Sequence, residues 1–111
     1  MRHIESRIQQ ECVRWFRLQY AQSWDLLFAV PNGGKRNGFE ASIMKAEGVT
    51  AGVSDLILLI PNGNYHGLCI EMKTGYKSKS KQTERQIEWM RQVQNVGYKY
   101  VVCRSFDDFK Q

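Results

Sequence analysis

An aspartate opens the apolar run in GVSDLILLI, and sixteen residues later a second apolar segment closes on Glu-Met-Lys, in CIEMK. Asp55, Glu71 and Lys73 are costly types to place at the ends of buried segments unless something uses them. Two carboxylates a few ångströms apart repel and tend to share a proton unless a cation lies between them. Mg²⁺ or Mn²⁺ takes oxygen ligands, and Mg²⁺ keeps several waters. Asp55, Glu71, water and a phosphate oxygen would satisfy such an ion, and the Met72 carbonyl could add a ligand. The ion would activate a bound water and polarise a phosphodiester. Lys73 would orient or help deprotonate that water and offset phosphate charge. Each residue has a plainer role by itself: Asp55 in a turn, Glu71 and Lys73 as an ion pair on an exposed strand edge. Their combination, with apolar strands around them, favours the metal site.

The chain must bring these groups together. Over about residues 2–21, Ile4, Ile8, Cys12, Trp15 and Phe16 follow helical spacing with one buried stripe. LLFAV, Leu26–Val30, reads as a short strand ended by Pro31. A helix over about Phe39–Glu47 follows, then a small-residue loop feeding a strand over Asp55–Ile60. Pro61-Asn62-Gly63-Asn64 is a turn by composition, and the chain returns as a strand over Gly67–Lys73. The two strands form an antiparallel hairpin, which sets the start of one beside the end of the other. Asp55 and Glu71 are therefore expected together at the end away from the turn. Glu71 and Lys73 share a face, and Met72 points to the opposite one. A long helix over about Gln82–Val96, a strand over Tyr98–Cys103 and a final turn capped by Ser105 complete the order α-β-α-β-β-α-β-α. This is an α/β chain: a mixed sheet of about four strands flanked by helices. The aromatic residues Trp15, Trp24, Trp89, Phe28, Phe39, Tyr98 and Tyr100 read as core.

A chain of 111 residues suits a single domain spanning its whole length. No apolar stretch approaches the ~20 residues of a membrane span, so no membrane partner is expected. The first residues show no apolar signal region. The three cysteines, Cys12, Cys69 and Cys103, lie far apart in apolar surroundings. They read as reduced buried thiols of a cytoplasmic protein. The formal net charge of +5 favours a polyanionic partner. Lys77, Lys79 and Lys81 lie in a polar, basic segment expected to be an exposed loop and to contact DNA backbone, with Tyr76 as the one aromatic placed to touch a base or sugar. Asn32, Gly33, Gly34, Lys35 and Arg36 form a loop with open backbone N–H groups and two cations, able to cradle a phosphate.

GVSDLILLI followed by IEMK resembles the signature of the PD-(D/E)XK nucleases. The wider string PNGGKRN…KAEGVTAGVSDLILLI…YHGLCIEMK…RQIEWMRQVQNVGYKYVVC resembles the VRR-NUC domain family from about Glu5 to Cys103. That resemblance implies a restriction-endonuclease-like fold and metal-dependent phosphodiester hydrolysis. Compact stand-alone members, often carried by phages, resemble Holliday-junction resolvases and act as homodimers. The expected partners are thus branched or four-way-junction DNA and a second copy of the chain, in a bacterial host cytoplasm if phage-encoded. By the same resemblance Glu5 would align a metal-bound water or complete a second metal site. Gln9, one turn later, would support DNA binding, and Gln86 would position water or phosphate. The family usually has proline before the aspartate, where this chain has Ser54; that proline shapes backbone and is not a ligand. Two other readings remain: a non-cleaving nucleic-acid-binding module on the same fold, and a nuclease preferring flaps or linear duplex.

Overall fold

The computed structural model describes residues 2–31, 38–73 and 82–110, with side chains described from Ser6 onward. The first helix, α1, spans Arg2–Gln19. Its apolar stripe turns Cys12 and Phe16 inward until they are buried, with Ile8, Val13 and Trp15 half-buried beside them. A 3₁₀ turn over Ala21–Leu26 then leads into β1, Leu27–Ala29. Sequence spacing does not mark this turn. The expected strand over 26–30 is nonetheless visible in its ladder: Leu59 N–H donates to Leu26 O and Val30 N–H to Asp55 O, each at 2.9 Å.

Helix α2 spans Gly38–Ala46, β2 Leu56–Leu58 and β3 Leu68–Met72. Helix α3 covers Glu84–Asn95, β4 Lys99–Cys103 and α4 Phe106–Lys110. The strands form one sheet in the order β1-β2-β3-β4. The first three are antiparallel neighbours, and β4 runs parallel to β3 after the α3 crossover. The hairpin is real, but its connection over residues 59–67 is longer than a tight turn. Asn62 shapes it, its Oδ1 accepting from the Asn64 and Tyr65 N–H groups at 2.7 and 2.8 Å.

Alternation along β3 divides the molecule into two layers. Ile70 and Met72 point to one face, where they pack with Cys12, Phe16, Leu27, Leu56 and Cys103, and with Phe106 and Phe109 of α4. Cys69 and Glu71 point to the other face, beside α3, and both are buried. A four-stranded sheet with a helix layer on each side is what alternating strands and helices produce when both faces are apolar. Gly97 ends α3 at φ +99°, where a side chain would also press on the His66 ring. Ser105 caps α4 as expected, its Oγ accepting from Asp108 N–H at 3.1 Å. No described helix is long and apolar enough to cross a membrane.

Three of the expected core aromatics lie at the surface. Phe39, on α2, is 76% exposed and Trp24 is 52% exposed. Trp24 sits in the 3₁₀ turn with the Arg17 guanidinium 5.2 Å from its ring centre, a cation–π contact instead of burial. Phe28 lies on the α3 side of the sheet, but α3 packs on β4, with two strands between it and β1, and Phe28 stays exposed at 37%. Tyr100 is buried, while Trp15, Trp89 and Tyr98 are half-buried.

Candidate active site

Asp55 lies one residue before β2. Extending the register Leu56↔Ile70 by one step sets it opposite Glu71. Opposed residues of antiparallel strands share a face, so both acids lie on the α3 side. Asp55 is fixed at two points: its carbonyl accepts from Val30 N–H at 2.9 Å, and its Oδ2 accepts from Met72 N–H at 2.8 Å. The aspartate thus closes the open end of the β2–β3 ladder with its side chain. Met72 sends its side chain to the core and its backbone to the site.

Glu71 is 3% exposed. A buried carboxylate needs hydrogen bonds or charge partners. Its Oε2 accepts from Gln86 Nε2 at 3.0 Å and lies 4.0 Å from Lys73 Nζ. Lys73 donates from Nζ to Gln86 Oε1 at 3.1 Å, and its backbone N–H bonds Cys103 O at 3.0 Å. Gln86 therefore bridges the acid and the lysine. Its orientation is dictated by its partners: the ammonium can only donate and the carboxylate oxygen accepts.

Helix α3 delivers Gln86 through a capping box. Thr83 is the N-cap, its Oγ1 accepting from Gln86 N–H at 3.2 Å while Gln86 Oε1 accepts from Thr83 N–H at 2.8 Å. The loop before Asp55 packs against this same first turn. Gly52 adopts φ +87°, and a Cβ there would lie 2.5 Å from Arg85 O. Arg85 also reaches Ala51 O at 3.4 Å. Ser54 is fully buried, and its hydroxyl donates to Leu56 O at 3.3 Å. The strand end, the small-residue loop and the helix start thus converge on one point.

Two further ionisable side chains, Tyr100 and Cys69, are buried on this face of the sheet. Burial, then the nearby Glu71 charge, pushes the Tyr100 phenol well above its ordinary value; Gln82 bonds that hydroxyl at 2.9 Å and pulls it the other way. Burial raises the Cys69 thiol as well, against a hydrogen bond from Ser54. Neither is a nucleophile at neutral pH.

Asp55, Glu71, Lys73, Met72 and Gln86 are therefore together. Gln9 is half-buried on α1, the helix on the opposite face of the sheet from Glu71. Glu5 belongs to α1, but its side chain lies outside the described residues, as do Asn32, Gly33, Gly34, Lys35, Arg36, Tyr76, Lys77, Lys79 and Lys81. Sequence reasoning passed over Thr83, although Thr-x-x-Gln is a capping-box pattern, and over Gly52 and its contact with α3.

The donor set suits a hard dication. Asp55 and Glu71 supply carboxylates from opposed strand positions, and the Met72 backbone lies beside them, its N–H on Asp55 Oδ2. Among the described residues no group of three or more His, Cys, Asp or Glu side chains could hold a metal. An ion here would take its other ligands from water and substrate, as Mg²⁺ does in phosphoryl-transfer sites.

The VRR-NUC domain family matches residues 2–107. The chain belongs to this nuclease family. Among solved structures, a VRR_NUC domain protein is 32% identical, with a TM-score of 0.78, over 94% of this chain and 80% of its own. A comparison with curated proteins gives no match. The VRR-NUC match extends over every described element that builds the site.

Proposed function

We propose that this VRR-NUC protein is a Mg²⁺- or Mn²⁺-dependent endonuclease that hydrolyses DNA phosphodiesters, selects branched or four-way-junction DNA, and works as a homodimer. The observation that carries the reading is the hydrogen-bonded Asp55–Glu71–Lys73–Gln86 cluster at the end of the β2–β3 hairpin, with Glu71 buried and the other three half-buried. Asp55, Glu71 and the Met72 carbonyl would hold the ion. When bound, the ion supplies a water of lowered pKa and Lewis-acid polarisation of the phosphate.

The chain's own residues do the rest. Gln86 holds the Lys73 ammonium beside Glu71, so one cationic group stands ready at the place where phosphate charge builds up. Helix α1 packs on the other face of the sheet, so Glu5 and Gln9 would assist only by reaching round the sheet's end. Asn32, Gly33, Gly34, Lys35 and Arg36 would cradle one phosphate, and Lys77, Lys79 and Lys81 would grip others along the backbone. The net charge of +5 supports that grip. Two copies related by a twofold axis would present two sites for paired cuts in a junction.

The test is an end-labelled four-way junction, a flap and a linear duplex, each incubated with the protein in Mg²⁺, Mn²⁺ or EDTA. Cutting in either metal, strongest on the junction and absent in EDTA, is expected. A junction that is bound but uncut in every tube makes the protein a binding module. Preferential cutting of the flap or duplex removes the junction assignment.

A further inference from the structure

We propose that Thr83 is a positioning residue of this site: the capping box that starts α3 sets the side chain of Gln86 and, through it, the spacing of Glu71 and Lys73. The consequence for cleavage rests on the nuclease reading above; the contacts do not.

One carboxamide serves two masters. Gln86 Oε1 accepts from Thr83 N–H at 2.8 Å and from Lys73 Nζ at 3.1 Å, while Nε2 donates to Glu71 Oε2 at 3.0 Å. Its torsions cannot change at the helix end without changing at the acid and the lysine. Thr83 holds its side of the box through an extended backbone, φ −76° and ψ 168°, and through Oγ1, which accepts from Gln86 N–H at 3.2 Å. The preceding residue is anchored too, because Gln82 Nε2 bonds the buried Tyr100 hydroxyl at 2.9 Å. The entry to α3 is thus tied to the sheet, and the tie ends at the reacting groups. An ordinary N-cap affects only helix stability; this one also fixes a glutamine that would otherwise lose its rotamer restraint.

The test uses the full chain with Thr83→Ser, Thr83→Ala and Thr83→Pro. Serine keeps both cap bonds. Alanine removes the hydroxyl acceptor. Proline removes the N–H as well, and the φ of −76° at this position lies within the range its ring allows. Ser105→Ala, which removes the cap of α4 on the other layer, is the control for a purely structural loss. Two quantities are read: kcat and KM on the DNA that the wild type cuts, and the side-chain amide NMR signals of Gln86 without metal or DNA. Thr83→Pro is expected to lower kcat about tenfold or more, Thr83→Ala by less, with KM within about twofold. Thr83→Ser should match the wild type. Ser105→Ala should lower the melting temperature and leave kcat alone. The Gln86 amide signals should collapse toward those of a solvated glutamine in the alanine and proline variants only. Unmoved Gln86 signals in both, or a kcat loss shared with Ser105→Ala, overturns the proposal. If Thr83→Pro does not fold, the alanine–serine pair decides. If the wild type cuts nothing yet the Gln86 signals respond as stated, the nuclease reading fails and the link from Thr83 to Gln86 stands.

Discussion

Glu71 and Asp55 carry the account of this protein, and their neighbours say how they should respond to change. Glu71→Gln and Asp55→Asn keep shape and remove charge. Each should lower single-turnover cleavage by at least about a hundredfold, with the melting temperature unchanged or higher, because less charge is buried. A Glu71→Gln variant that cuts at the wild-type rate would move the site elsewhere. Gln86→Glu separates two roles of one residue. A glutamate at this position still completes a capping box and favours the helix N-terminus, but it sets a second carboxylate oxygen against the buried Glu71 Oε2, so the melting temperature should fall. It cannot donate to Glu71, so cleavage should fall by a similar order; retained cleavage would make Gln86 a cap and nothing more. The proximity of Asp55 to Glu71 was legible in the sequence because a hairpin fixes which strand ends meet. The bridging by Gln86 was not, since hairpin geometry says nothing about a residue fifteen positions further on, in another element.

The loop before β2 and the first turn of α3 hold each other in place. Gly52→Ala places a Cβ against the Arg85 carbonyl and strains a left-handed backbone. It should destabilise the fold by about 1–3 kcal/mol, seen as a lower urea midpoint, and should slow cleavage because Asp55 lies three residues on. An unchanged midpoint would mean that the loop rearranges freely. Strands β2, β3 and β4 and helices α1 and α3 were readable from apolar spacing, since each carries an apolar face long enough to show itself, half-buried in α3 and buried in part in the others. The 3₁₀ turn over Ala21–Leu26 was not, because its six residues are too few to show a period and none is buried. The exposure of Phe28 escaped for a related reason: sequence spacing gives the face of a residue but not how far a covering helix reaches.

Both sheet faces bury ionisable groups, so the whole molecule should answer to alkali. Burial raises Cys12 to about 12 and Cys103 to about 11, from 9.0, and raises Tyr100 above its ordinary value. In the unfolded chain the thiols ionise near 9.0 while the folded chain keeps those protons. Their contribution to stability is therefore intact below that pH and lost as the pH climbs toward the folded values. Urea midpoints should be level up to about pH 9 and fall above it; a midpoint that rises would contradict this burial. The clustered lysines of the sequence should show themselves in salt. Replacing Lys77, Lys79 and Lys81 together should reduce the slope of log affinity against log salt by about 0.9 per lysine, and an unaltered slope would place DNA elsewhere on the surface. Beneath all of this lies a pair of acids acting on one ion. Mn²⁺ titrated calorimetrically into the wild type, Asp55→Asn and Glu71→Gln tests that pairing. Binding that weakens at least about tenfold in each single variant is the expected result, and an unchanged affinity in either would contradict a shared site.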